Sequence, residues 1–134
     1  KLAARAENRA PALAELARLD DAAFRARFRN SPIKRTGRDR FLRNVLIAIG
    51  NANDPSLARE ALRLTDDPSP LVRGAAVWAL SRLAPANFAH VAHDRRAHEK
   101  DPEVIEELDA AQGVLASSST ARSSRSISSA RDNR

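Results

Sequence analysis

The chain has 134 residues, a formal net charge of +6, 43% hydrophobic residues and only 4% aromatic ones. With no cysteine, it cannot form a disulfide, hold zinc or an iron–sulfur cluster through thiolates, or use a cysteine nucleophile. No apolar run approaches the ~20 residues that span a bilayer, and no signal-type segment follows Lys1.

The apolar content is mostly Ala and Leu, which favour helices over strands, and no alternating strand-type run interrupts the pattern. Leu13, Leu16 and Leu19 mark an N-terminal helix whose apolar side could dock on an upstream domain. The absence of Met, including at position 1, reads as a fragment or a processed product. Turn signals then recur at Asn30-Ser31-Pro32, Gly50–Pro55, Asp66–Pro70, Ala84-Pro85 and Lys100-Asp101-Pro102. From Asp39, residues Phe41, Leu42, Val45, Leu46 and Ile49 share one helical arc, with Arg40, Arg43 and Asn44 opposite. Ser69 is placed to cap the next helix, with Pro70 at its first position. Leu71, Val72, Ala75, Ala76, Trp78, Ala79 and Leu83 form its apolar arc, and Trp78 reads as core. Asp101-Pro102 repeats that start signal for a last helix to about Leu115.

Phe41-Leu42-Arg43 aligns with Leu71-Val72-Arg73, and Leu71-Val72 with Glu103-Val104, a weak internal repeat of helix, Asp/Pro turn and helix. Such units bury their faces by stacking on one another. Asp66 to Leu80 resembles the second half of a HEAT repeat. The expectation is therefore an all-α domain of HEAT-like repeats, an α-solenoid fragment over residues 1–116. An irregular helical bundle would use the same helices. Residues 117–134, rich in Ser and Arg with Ile127 as the one large apolar side chain, are expected to form a disordered tail.

Phe24 to Arg43 carries eight cations against one acid, Asp39. Clustered Lys and Arg release counterions when they neutralise phosphates, so this imbalance points to a polyanion. Lys34, Arg35, Arg38, Arg40 and Arg43 are the expected phosphate contacts, with Arg29 and Arg73 secondary. Gly37 would let the loop enter the helix with its first N–H groups facing a phosphate. The bland alternative is a solvated charged face. Phe24, Phe28 and Phe41 fit the apolar arcs, so backbone or shape recognition is favoured over stacking on single-stranded bases. Arg122, Arg125, Arg131 and Arg134 could add a nonspecific tether.

Other constellations carry less. His90, His93 and His98 with Asp94 lack a completing shell and read as surface histidines, so no metal is expected. Glu103, Glu106, Glu107 and Asp109 read as a solvated face, and no base accompanies the tail serines.

Asp21 to Phe28, Ser31 to Asn44 with Gly50-Asn51, and Asp67 to Leu80 together resemble the C-terminal region of the epoxyqueuosine reductases, over roughly residues 13 to 112. That resemblance implies a cytoplasmic parent enzyme carrying cobalamin and two [4Fe-4S] clusters. Such an enzyme reduces epoxyqueuosine to queuosine at the wobble position of certain tRNAs. Its C-terminal helical repeats help to hold the tRNA. The cluster cysteines and catalytic residues would lie upstream, so no catalytic, cofactor or metal residue is assigned here. Asn30 stands where the family often has Gly. The expected partners are tRNA and an upstream catalytic domain of the same polypeptide, with no membrane and a monomeric chain. The competing reading is a freestanding HEAT-like scaffold that binds an acidic protein.

Overall fold

A computed structural model describes residues 2–131, with side chains described over 9–117. Among the described residues there are seven α-helices, two short 3₁₀ turns and no strand. The helices are α1 (Leu2–Ala17), α2 (Asp21–Arg27), α3 (Arg38–Asn51), α4 (Ala58–Leu64), α5 (Pro70–Leu83), α6 (Pro85–His98) and α7 (Pro102–Arg131). The 3₁₀ turns, Pro32–Thr36 and Pro55–Leu57, precede α3 and α4.

The turn residues act as their chemistry dictates. Asp20, Ser31, Asp54 and Ser69 each accept a backbone N–H at the start of an element, and Asp101 accepts those of Glu103 and Val104. Pro32, Pro55, Pro70 and Pro85 stand in first turns, where the missing N–H costs nothing. Gly37 takes φ 83° between the first 3₁₀ turn and α3, a left-handed conformation that suits glycine.

α3, α5 and α7 lie in a row, with α5 packed on both of the others. α1 packs on α3, α4 on α5, and α6 on both α5 and α7. Leu42, Val72 and Val104, the aligned positions of the sequence repeat, are all buried. Around them Leu46, Ile49, Leu57, Leu64, Phe88 and Leu108 close a continuous core. Leu13 and Leu16 pack against this core, so these two leucines are used within the chain.

Buried carboxylates join the turns. Glu60 accepts from Arg18 at 2.8 Å and from Arg63 at 3.1 Å, and Arg63 also donates to the Ala17 carbonyl at 2.9 Å. This ties the end of α1 to α4. Such satisfied partners are what a buried acid requires.

Backbone helix continues through α7 to Arg131, and no proline or glycine follows Gly113 to stop it. The side chains of the expected tail beyond Ser117 lie outside the described residues. The side chains of Arg122, Arg125 and Arg131, and the whole of Arg134, lie outside the described residues.

Candidate nucleic-acid interface

The basic segment is built on an aromatic brace. Phe24 on α2, Phe28 just after it and Phe41 on α3 form a triangle with ring centroids 5.0–5.3 Å apart. Tilted and edge-on ring contacts of this kind add to their burial. The brace fixes α2 against α3 and holds the 3₁₀ turn Pro32–Thr36 at the surface between them.

Four of the expected contacts remain available on that base. Arg29, Lys34, Arg35 and Arg40 are exposed. None of the ion pairs found among the described residues involves them. Arg25, not among the expected contacts, lines a shallow hollow with Arg29 and Lys34. Arg25 lies on α2, and Arg29 follows four residues later in the turn just past its end. Arg25 also pairs with Asp21 at 3.1 Å, an exposed contact of small energetic weight.

Two expected contacts are committed elsewhere. The Arg38 side chain is 15% exposed, with Nη2 at 2.7 Å from Asp67 Oδ1 and Nη1 at 2.9 Å from Asp67 Oδ2. Its Nε donates to the Leu19 carbonyl at 3.1 Å. The hydrogen bonds that Arg38 donates to Asp67 outweigh burial and raise the Arg38 pKa further. Arg73 is likewise engaged, its Nε at 3.0 Å from both Glu99 oxygens and its Nη1 at 3.0 Å from the Asp67 and Pro68 carbonyls. Both guanidinium groups hold turns together, so Arg38 and Arg73 would have to break these bonds before meeting a phosphate. A run of like charge says nothing of the buried acid that waits 29 residues downstream.

Arg43 is half-buried and faces away from the turn, into a groove bordered by α3, α5 and α7. Trp78, half-buried and packed against the core, also lines this groove with the rest of its surface. Its six-membered ring lies against Gly50, and the Arg82 guanidinium stands 5.2 Å from the ring centroid. An apolar arc of such breadth does not reveal which part of it meets a neighbour.

The remaining candidates lie apart from the basic turn. His90 and His93 are exposed, and the His98 ring approaches the Asp94 carbonyl at 3.0 Å. Among the described residues no group of three or more His, Cys, Asp or Glu is placed to hold a metal ion. No described helix is long and apolar enough to cross a membrane. Glu103 and Glu106 are exposed, Asp109 pairs with Arg96, and Glu107 is half-buried.

No family model matches the chain. It is 42% identical over 72 residues to epoxyqueuosine reductase of Xanthomonas campestris, a match covering 52% of this chain and 20% of that protein. It is 27% identical over 100 residues to epoxyqueuosine reductase of Bacillus subtilis, covering 74% and 26%. The fold resembles a crystal structure of epoxyqueuosine reductase with a tRNA-Tyr epoxyqueuosine-modified tRNA stem loop, with TM-score 0.72 and 26% identity over 78% of this chain and 28% of that one. The chain thus spans about a fifth to a quarter of the length of the curated relatives it matches, and both its sequence and its all-helical fold are similar to a segment of epoxyqueuosine reductases.

Proposed function

We propose that this chain is a HEAT-like, tRNA-binding segment of an epoxyqueuosine reductase. It would hold the tRNA while a catalytic domain elsewhere in the polypeptide reduces epoxyqueuosine to queuosine. The observation that carries the reading is the set of exposed, unpaired cations Arg29, Lys34, Arg35 and Arg40 around one braced surface turn. Exposed Lys and Arg of this kind retain flexible, hydrated head groups that neutralise phosphates without first breaking an internal pair. The likeness to a reductase solved with a tRNA stem loop supplies the class of polyanion. Cobalamin and the clusters would be held outside this chain, which has no cysteine to ligate iron.

Anisotropy titrations of a labelled tRNA stem loop against salt test the reading. Four neutralised phosphates give a log–log slope of about −2.8 to −3.6, using the factors for single and double strands. The combined Lys34→Glu, Arg35→Glu and Arg40→Glu variant should lose binding while retaining its helical circular dichroism. Salt-independent affinity, or full binding by that variant, would remove the proposal.

A further inference from the structure

The groove bordered by α3, α5 and α7 has a volume of about 490 Å³, within the range of ligand-binding clefts. Its floor is α5, where Leu71, Gly74 and Trp78 follow one another at helical spacing. Leu71 is 39% exposed and Ile47, on the α3 wall, 43% exposed. These are large apolar side chains facing the same opening. Gly74 leaves a notch in the floor, since a Cβ built there meets nothing within 4 Å.

The two walls carry opposite charge. Arg43 stands on the α3 side, and its Nε is buried with no hydrogen-bond partner, an uncommon state for a guanidinium N–H. Glu103 and Glu107 stand on the α7 side, four residues apart and therefore on one face. Burial, and then the neighbouring Glu106, push the Glu107 carboxyl above its ordinary range, so a cation placed over it would be welcome. An apolar floor between one basic and one acidic wall is the pattern that receives an amphipathic helix. Paired carboxylates on a wall disfavour a phosphate backbone there, which separates this groove from the basic turn.

We propose that the groove is a docking site for an amphipathic protein helix, its apolar face on Leu71, Gly74 and Trp78, a basic edge over Glu103 and Glu107, and an acidic edge at Arg43. Gly74 admits close approach of the incoming helix. This site is independent of the tRNA reading, which depends on Lys34, Arg35 and Arg40, none of which lines the groove.

Trp78 is the single tryptophan, so its fluorescence reports directly on the groove. The probe is a helix-stabilised 16-residue peptide without aromatic residues, with Leu and Ala on one face, Lys along one edge and Glu along the other. A control peptide carries Glu on both edges. The first peptide should shift Trp78 emission to the blue in a saturable way, with the control weaker by about tenfold or more. The preference should reverse in the Glu103→Lys, Glu107→Lys variant. Gly74→Leu should abolish the shift while melting no lower than the parent, since the notch is open and leucine is the better helix former. Absence of a shift with both peptides, or equal affinity for them, would overturn the proposal. A blue shift that grows with protein concentration alone would assign the groove to a second copy. One produced by an RNA stem loop and lost in Gly74→Leu would assign it to nucleic acid. Either would also overturn the proposal.

Discussion

Arg38 and Asp67, 29 residues apart, meet in a two-pronged ion pair at 2.7 and 2.9 Å. It joins the start of α3 to the turn before α5. The Asp67 carboxylate also accepts the Ser69 N–H at 3.0 Å, and its own carbonyl accepts from Arg73, which reaches on to Glu99. The starts of α3 and α5 and the turn before α7 are thereby linked through two arginines. Removing one partner strands a charge with little access to water, which is costlier than losing a surface pair. Arg38→Ala should therefore lower the unfolding free energy by about 3 kcal/mol in denaturant titrations. Arg38→Lys should recover only part of it, because an ammonium cannot make the two-pronged contact. Salt dependence of tRNA binding by the folded Arg38→Ala protein should be unchanged.

The same pair sets the acid limb of stability. Burial alone would push the Asp67 carboxyl up, but the Arg38 hydrogen bond, the Ser69 N–H and the charges of Arg38 and Arg63 outweigh it and hold it below its ordinary range. A carboxyl lowered on folding contributes stability that is fully present above its unfolded value, about 3.9, and is lost as pH falls through the folded value. Unfolding followed from pH 6 down to pH 2 should show that loss in the parent. Asp67→Asn should start from a lower plateau and fall less steeply, by about one proton's worth of slope at most. Parallel curves would show that Asp67 is not the group that titrates.

Much of this architecture is legible in the residues themselves. Ser69 and Asp101 cap where side-chain chemistry requires, and the alignment of Leu42, Val72 and Val104 predicts three equivalent buried positions, as found. Arg38 was not legible, because Asp67 within Asp66-Asp67-Pro68 reads as turn punctuation until folding brings it to α3. Arg73 hid in the same way behind Glu99. For Trp78 the periodicity identifies an apolar arc but not the width of the neighbour that covers it.

The aromatic brace predicts a coupling between core and interface. Phe24 is 1% exposed and touches both Phe28 and Phe41. Phe24→Ala should cost about 3–5 kcal/mol in stability, and Phe24→Leu less, since it keeps more of the volume. Under conditions where Phe24→Ala is still folded, its tRNA affinity should fall although no cation has changed, because Arg29 directly follows α2, Lys34 shares a hollow with it, and the turn carrying Lys34 packs on α3. Anisotropy at fixed salt measures this. Unaltered affinity in the folded variant would show that the turn holds its shape without the brace.

Two helical glycines should respond to alanine with opposite sign. At Gly50 an added Cβ would stand 2.5 Å from the Trp78 ring, over which Arg82 of the same helix as the tryptophan already stands. At Gly74 the same atom meets open space. Replacing a helical glycine by alanine gains about 0.5–1 kcal/mol where the backbone and surroundings accept it. Overpacking against a ring costs about 1–3 kcal/mol. Gly74→Ala should therefore raise the melting temperature and Gly50→Ala lower it, with Trp78 emission displaced in the Gly50 variant, where the ring is forced to move. Were Gly50→Ala to stabilise the chain, the contact between α3 and Trp78 would have to be looser than the packing described above.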